Sequence, residues 1–240
     1  TVVAADLRGY GDSGKPLATE DHSSYSKREM ARDMVALMRE LGLPTFSILA
    51  HDRGARVAHR LALDHPQAVS RMALLDIAPT LAMYSQTDEA FARAYWHWFF
   101  LIRPAPLPET LLEADPEQYL RSVMGSRSAG FTPFTDEAFA EYVRCAKLPG
   151  TARGVCEDYR ASASIDLDHD RADLDAGHHL HLPLLVLWGA EGTVGKCFDP
   201  LKEWQQVATD VRGRALPGGH YLAEEIPEAL MAEVMPFLTS

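Results

Sequence analysis

The fold of this chain is decided by the stretch Phe46-Ser47-Ile48-Leu49-Ala50-His51-Asp52-Arg53-Gly54-Ala55-Arg56. Its first part is apolar or small, as in a short buried strand, and residues 56–62 have helical character. Gly54 and Ala55 keep the connection between the two free of bulk. The stretch therefore predicts a strand, a sharp turn at Asp52 and the first turns of a helix, an arrangement that exposes the side chain of Asp52.

The side chain at this turn is a carboxylate. A strand-to-helix turn of this kind, called a nucleophile elbow, usually reads Gly-x-Ser-x-Gly, whereas this chain has His51-Asp52-Arg53-Gly54. An ionised carboxylate needs no base to become nucleophilic, and its attack leaves a covalent ester on the enzyme. Asp52 is therefore the candidate nucleophile.

Composition indicates an ordinary globular chain. Its 240 residues suffice for one domain with a full core, and 47% are hydrophobic and 24% charged. The net charge of −11 argues against nucleic acid or an anionic membrane as a partner, and no apolar run approaches the length of a membrane span. The three cysteines are odd in number and lack metal-ligand spacing, so we expect a reduced, cytoplasmic setting.

Strands and helices alternate along the first part of the chain and again near its end. Strands are predicted at residues 2–6, 71–79, 184–189 and 211–216, and helices at residues 200–207 and about 223–238. Ser26 and Glu29 form a capping box for a further helix, which Gly42 would end. This order predicts a parallel sheet with helices on its faces, whose ligand site lies at the carboxyl ends of the strands. Asp52, Asp76 and His220 all fall there.

Residues 80–176 lack strand signals. The segment is aromatic and is divided by prolines into short helical stretches, which predicts a helical cap inserted between residues 1–79 and 177–240 of a main domain. His97 lies between Trp96 and Trp98, and a histidine inside such a core would need a polar reason to be there.

The order Asp52, Asp76, His220 matches the nucleophile, acid and histidine order of the α/β-hydrolases. The sequence resembles the fluoroacetate (haloacetate) dehalogenases of that superfamily over essentially its whole length. The residues that carry the resemblance are His51-Asp52-Arg53-Gly54-Ala55-Arg56, Trp96-His97-Trp98, Asp158-Tyr159-Arg160-Ala161 and Gly218-Gly219-His220. Epoxide hydrolases and haloalkane dehalogenases also place Asp at the elbow, but they typically follow it with Trp, where this chain has Arg53.

The resemblance implies a role for each of these residues. Asp52 would attack the halogen-bearing carbon of fluoroacetate, and His220, oriented by Asp76, would activate the water that hydrolyses the ester to glycolate. Arg53 and Arg56 would hold the substrate carboxylate. Three side chains would donate hydrogen bonds to the departing halide: His97, Trp98 and Tyr159. No metal or organic cofactor is implied, and the family tends to form homodimers.

Two alternatives remain open at this point. An epoxide hydrolase or haloalkane dehalogenase would use the same Asp–His–Asp machinery, although neither needs two arginines in its pocket. A hydrolase-fold protein that only binds a small ligand is the other, and it would have no reason to keep a water-activating histidine opposite the carboxylate.

The beginning of the chain is unusual for this superfamily. It opens with Thr1 and enters the strand predicted at residues 2–6 at once. An α/β-hydrolase sheet normally has strands before that point, so we expect N-terminal strands to be absent from this sequence. The oxyanion-stabilising contribution of that segment is then left unassigned.

Overall fold

The computed structural model describes residues 1–127 and 129–239. Its centre is a four-stranded parallel sheet, in which the strands are ordered as they follow one another in the chain. The strands are β1 (Phe46–His51), β2 (Val69–Leu75), β3 (Leu184–Gly189) and β4 (Val211–Leu216). Because every pair is parallel, all four carboxyl ends lie at one edge of the sheet. The predicted parallel sheet is confirmed.

Helices flank the sheet and fill the long connection between β2 and β3. Outside that connection lie α1 (Lys27–Glu40), α2 (Asp52–Asp64), α11 (Thr193–Cys197), α12 (Pro200–Gln205), α13 (Leu222–Glu225) and α14 (Pro227–Thr239). Within it lie α3 (Thr80–Ser85), α4 (Glu89–Ala94), α5 (Trp96–Leu101), α6 (Leu107–Ala114), α7 (Pro116–Gly125), α8 (Asp136–Ala146), α9 (Thr151–Ser162) and α10 (Ile165–Asp175).

Residues 80–176, here called the helical insertion, contain no strand in their described part. Their own aromatic cluster includes Phe91, Tyr95, Trp98 and Tyr159. The insertion is helical, as the sequence predicted. Its division from the rest as a separate cap domain stays a prediction.

The signals at the ends of α1 act as the sequence indicated. The hydroxyl of Ser26 accepts a hydrogen bond from the backbone N–H of Glu29 at 3.3 Å. Gly42 has a φ of +74°, a conformation that glycine adopts without steric cost. The helix buries Met30 and Val35 against the sheet, with helix α2 beside it.

The turn after β1 is strained where the sequence predicted a sharp turn. Asp52 has a φ of +43°, and Asp76, directly after β2, has a φ of +47°. Such conformations cost a residue with a side chain roughly 1–3 kcal/mol and cluster at functional sites. A methyl group added at Gly54 would meet no other atom within 4 Å, so packing does not require that glycine.

Several predicted elements differ in the structure. The strand predicted at residues 71–79 is β2 (Val69–Leu75), which ends before the positive φ of Asp76, and the helix predicted at residues 200–207 is α12 (Pro200–Gln205). Residues 2–6 form no strand, because no described strand lies beside them to complete a ladder of hydrogen bonds, and Val2 is 94% exposed. The predicted final helix is divided into α13 and α14 at Ile226, which precedes Pro227 and takes a φ of −143°. The proline ring disfavours helical backbone at the residue before it.

Apolar side chains cover both faces of the sheet. One face packs against helices α1, α2 and α12, with Trp204 fully buried, and the other packs against α14 through Leu230, Val234 and Phe237. Among the described residues, no helix has the length and apolar character needed to cross a membrane. The helical insertion lies at the edge of the sheet where the carboxyl ends of the strands meet.

Candidate active site

The structure brings Asp52, Asp76 and His220 together at the carboxyl ends of the strands. Asp52 begins α2, Asp76 follows β2, and His220 lies in the turn after β4. The imidazole bridges the two carboxylates, with Nδ1 2.7 Å from Oδ2 of Asp76 and Nε2 3.4 Å from Oδ2 of Asp52. This is the contact pattern of a nucleophile, a base and a group that orients the base.

Asp76 is fixed on both of its oxygens. Its side chain is fully buried, and Oδ1 accepts a hydrogen bond from the backbone N–H of Gly189 at 3.0 Å. The Oδ2 atom faces His220 Nδ1, so the carboxylate favours the tautomer with the proton on Nδ1. The Nε2 atom is then free to take a proton on the side of Asp52.

The two groups that face each other across the site have shifted pKa values. Burial alone would raise the pKa of the Asp52 carboxyl, but the hydrogen bond from His220 and the nearby positive charges, including Arg56, lower it well below its usual range. Burial alone would lower the pKa of His220, but the two carboxylates outweigh it and raise that pKa. Asp52 is therefore ionised, as a nucleophile must be.

Arg53 follows Asp52 in the chain, and its buried guanidinium donates three hydrogen bonds. Its Nε donates to Oδ2 of Asp158 at 2.7 Å, and its Nη2 donates to the backbone oxygen of Asp158 at 3.0 Å and to Oγ of Ser162 at 2.6 Å. The guanidinium carbon lies 4.1 Å from the centre of the Tyr159 ring. Its Nη1 is buried and has no hydrogen-bond partner.

Arg56 is buried one helical turn further along α2, on the same side. Its Nη1 donates to Oγ1 of Thr80 at 3.0 Å and to the backbone oxygen of Ala78 at 3.3 Å, and Nη2 lies 3.2 Å from the sulfur of Met83. The guanidinium carbon lies 4.6 Å from the centre of the Trp98 ring. Its Nε is buried without a partner, and no carboxylate among the described residues is paired with it.

A buried group of charges lies behind Arg53, and the sequence did not indicate it. Nζ of Lys27 contacts Oδ1 of Asp158, and it also lies 3.0 Å from Oγ of Ser162 and 3.4 Å from Oδ2 of Asp166. The hydroxyl of Tyr10 donates to Oδ2 of Asp158 at 2.5 Å. Asp158 therefore ties α1 and α2 to α9 of the helical insertion. Asp158 belongs to one of the motifs that carry the family resemblance, and that was the only indication of it in the sequence. Lys27 is the first residue of α1, and no motif includes it.

The three candidate halide-binding residues lie together on α5 and α9. The ring of Tyr159 is centred 6.1 Å from that of His97 and 6.3 Å from that of Trp98. All three residues are buried. In the part of the chain that the structure describes, neither the Trp98 indole N–H nor the Tyr159 hydroxyl donates a hydrogen bond to another residue. Both remain available as donors.

Two further residues at the site were not predicted to take part. Nη2 of Arg127, just after α7, lies 3.3 Å from Nε2 of His97. The ring of His51 is centred 4.5 Å from that of His220, and its buried Nε2 has no partner. Burial lowers the pKa of His51 to about 4, so this histidine is neutral at pH 7. Arg127 lies outside every motif, and only the folded chain brings it to His97.

Comparison with known proteins identifies the fold family and relatives with two different activities. The family described as alpha/beta hydrolase fold matches residues 1–225. A fluoroacetate dehalogenase from Burkholderia sp. is 42% identical over 240 residues, which is 100% of this chain and 78% of the relative. A soluble epoxide hydrolase from Corynebacterium sp. (strain C12) is 32% identical over 244 residues, covering 99% of this chain and 80% of the relative.

The solved structures agree with the fold. A protein from Nostoc sp. PCC 7120, described as an alpha/beta hydrolase, superposes with a TM-score of 0.95 and is 52% identical, covering 98% of this chain and 80% of its own. The resemblance drawn from the motifs is confirmed at the level of overall sequence and fold. The chain therefore belongs to the α/β-hydrolase fold family, alongside a fluoroacetate dehalogenase and a soluble epoxide hydrolase.

Proposed function

We propose that the protein hydrolyses haloacetates to glycolate and halide, with Asp52 as the nucleophile. The observation that carries the proposal is a pair of buried guanidinium N–H groups without partners, Nη1 of Arg53 and Nε of Arg56, next to an ionised carboxylate. A buried donor left without a partner costs about 1–3 kcal/mol. A substrate carboxylate would satisfy both donors with charge-assisted hydrogen bonds.

In the first half-reaction an oxygen of Asp52 attacks the carbon that bears the halogen. A C–O bond forms, the carbon–halogen bond breaks, and the halide leaves with the bonding electron pair. The product on the enzyme is an ester of Asp52 with glycolate. The arginines hold the substrate so that this carbon faces the nucleophile, which is the orientation that lowers the entropic part of the barrier.

The departing halide would be stabilised by fixed donors. Fluoride is strongly solvated in water, so an enzyme that expels it must replace that water with donors already in place. An indole N–H from Trp98, a phenol O–H from Tyr159 and an imidazole N–H from His97 are of this kind. Such donors bind the fluoride ion more strongly than the fluorine bound to carbon, which is how they accelerate the step.

In the second half-reaction His220 would remove a proton from water, which attacks the ester carbonyl of Asp52. The C–O bond to the glycolate oxygen then breaks, the imidazolium of His220 gives its proton to that oxygen, glycolate leaves, and the carboxylate of Asp52 is restored with loss of one proton to water. Esterification removes the negative charge of Asp52, which is one of the two charges that raise the pKa of His220. The pKa of the imidazole should therefore fall at the stage where it acts as a base, while Asp76 stabilises the imidazolium that forms.

The helical insertion would act as the cap over this site. The insertion supplies the three halide donors and Asp158. The residues that cover the site would therefore also take part in the reaction. Its aromatic surface would limit the pocket to a small substrate and keep bulk water away from the nascent halide. Cytoplasmic location and a homodimer, both expected from the sequence, stay predictions.

The test is halide release from fluoroacetate and chloroacetate, measured beside an Asp52→Asn variant and with chloroacetamide as a neutral substrate of similar shape. We expect halide from both acids, none from the variant, and at most slow release from the amide, because the amide lacks the charge that Arg53 and Arg56 bind. Release from the amide as fast as from the acid would refute the arginine assignment, and activity of Asp52→Asn would refute the nucleophile.

A neutral epoxide tests the second candidate. The epoxide hydrolase relative and the unpaired hydroxyl of Tyr159, which could protonate an epoxide oxygen, favour it. Two buried arginines have no part in that reaction. Turnover of the epoxide without halide release from either acid would establish this alternative. If the protein binds one of these compounds but turns over none of them, the result would favour the alternative of a non-catalytic ligand-binding protein.

A further inference from the structure

We propose that Arg127 is a positioning residue for halide departure. It would hold the imidazole of His97 so that Nδ1–H is the donor left for the halide, and it would add its own positive charge to that side of the site. This inference rests on the proposed function. None of the sequence motifs includes Arg127, and its role follows from its contacts.

The contacts of Arg127 leave His97 one tautomer. Nη2 lies 3.3 Å from Nε2 of His97, and Nη1 lies 3.4 Å from the hydroxyl of Tyr95. The guanidinium carbon lies 4.7 Å from the centre of the Tyr95 ring, so the side chain is held over that ring. A guanidinium has five donors and no acceptor, so the ring nitrogen that faces it must be the acceptor. The proton of the neutral imidazole is then on Nδ1.

The charge of Arg127 is not offset by a neighbouring carboxylate. Arg53 is paired with Asp158, whereas no described Asp or Glu lies within ion-pair distance of Arg127. An anion that forms near it is therefore attracted by a whole positive charge, in a partly buried place where water screens charges less than at the surface. The halogen carries no net charge while it is bound to carbon. It becomes an anion as the carbon–halogen bond breaks.

The pKa of His97 is set by its burial and by charged groups on the adjoining elements, which act in both directions. Burial is the largest cause of its low pKa, about 3, and the charge of Arg127 is next. From α2, Asp52 favours its protonation and Arg53 opposes it, and His220, after β4, also opposes it. The other groups that face the ring are uncharged phenols: Tyr95 and Tyr159.

Loss of Arg127 should therefore change how His97 behaves. Without the guanidinium, the proton can sit on either ring nitrogen, and the pKa of the imidazole should rise, although burial still holds it below its ordinary value. The site would also lose one positive charge. The release of fluoride, which depends most on donated hydrogen bonds, should slow more than the release of chloride.

The experiment compares Arg127→Leu and Arg127→Gln with Arg93→Leu as a control. Arg93 also lies in the helical insertion but is exposed and paired with Glu89 at 2.7 Å. We expect Arg127→Leu to lower kcat for fluoride release by about 10-fold or more, but by less than the roughly 100- to 1,000-fold loss that follows removal of a preorganised donor itself, because Arg127 acts through His97. The KM, and chloride release from chloroacetate, should change by less than about threefold, and Arg93→Leu should match the wild type. Equal losses for both halides would overturn the proposal.

A double-mutant cycle with His97→Asn tests whether Arg127 acts through His97. If it does, Arg127→Leu should cost little more once His97 is already replaced, since interacting residues are not additive. The pH dependence of fluoride release should also differ between the single variant and the wild type, because the guanidinium charge no longer lowers the pKa of His97. Full additivity, with an unchanged pH profile, would refute the contact as the cause.

Nitrogen NMR of the imidazole separates this inference from the proposed function. The signal of His97 is identified by its disappearance in His97→Asn. In the wild type it should report a neutral ring protonated on Nδ1 at all pH values down to about 5, and in Arg127→Leu the ring should no longer be protonated on Nδ1 alone and its pKa should be higher. A wild type that fits this pattern but releases no halide would refute the function alone. A ring that titrates in the wild type would refute the role of Arg127.

Discussion

Replacing Lys27 with methionine should destabilise the fold by about 3–5 kcal/mol, the cost of removing one partner from a buried ion pair. The side chain of Lys27 is 4% exposed and that of Asp158 is fully buried. The ammonium contacts Asp158 and lies 3.0 Å from the hydroxyl of Ser162. Methionine fills a similar volume, so the loss measures the charge and its hydrogen bonds and not a cavity.

The assay is urea unfolding followed by tryptophan fluorescence. With a slope of about 3 kcal/mol per molar urea, the midpoint should fall by about 1 M or more. The control is Lys147→Met, because Lys147 has the same side chain but is 56% exposed and lies 4.0 Å from Glu117. An exposed pair contributes about 0–1 kcal/mol, so the control should shift the midpoint by less than about 0.3 M.

The double variant Lys27→Met with Asp158→Asn adds a second measurement. If the two charges stabilise each other, the double variant should lose less stability than the sum of the single ones. A midpoint for Lys27→Met within error of that for Lys147→Met would refute the reasoning. It would mean that Asp158 needs no partner besides Arg53.

Three further predictions concern the site. His220→Gln should stop the reaction at the ester, so mass spectrometry should find the peptide with Asp52 heavier by a carboxymethyl group, and normal turnover would contradict this. Because the folded pKa of His220 is raised, its contribution to stability is complete below about pH 6.5 and is lost as pH rises through the folded value. Unfolding measured against pH should show this decline in the wild type and not in His220→Gln. Tyr159→Phe should reduce fluoride release more than chloride release, and equal reduction would argue against a halide contact.

The parts of the fold that the sequence predicted are those with local causes. The elbow at Asp52 follows from an apolar run that meets a helical one, and the start of α1 follows from Ser26 and Glu29, three residues apart. The strands at residues 184–189 and 211–216 have the predicted bounds, because their neighbours in the chain are strong turn formers. The strand predicted at residues 2–6 failed for the opposite reason, since a strand depends on a partner that no local pattern can supply.

The structure brings the predicted candidate residues together, but the sequence did not predict the residues that hold them in place. Asp52, Asp76 and His220 were placed at one edge because parallel strands bring their carboxyl ends together. The partner of Arg53 is Asp158, 105 residues away, and that of Asp158 is Lys27, 131 residues away. No periodicity in a sequence reports such pairs, because they depend on where the helical insertion lies on the main sheet.

Under the proposed function, a protein with a net charge of −11 must bind one anion, the substrate, and release another, the halide. Two carboxylates, of Asp158 and Asp166, lie against the two cations Arg53 and Lys27. Arg56 and Arg127 are paired with no carboxylate in the described part of the chain. Distant surface carboxylates are screened beyond about 8 Å at physiological salt, whereas these buried cations are not. In the proposed reaction Arg56 and Arg127 would therefore attract the substrate carboxylate and the departing halide, and the positive charges near Asp52 lower the pKa of its carboxyl and keep it ionised.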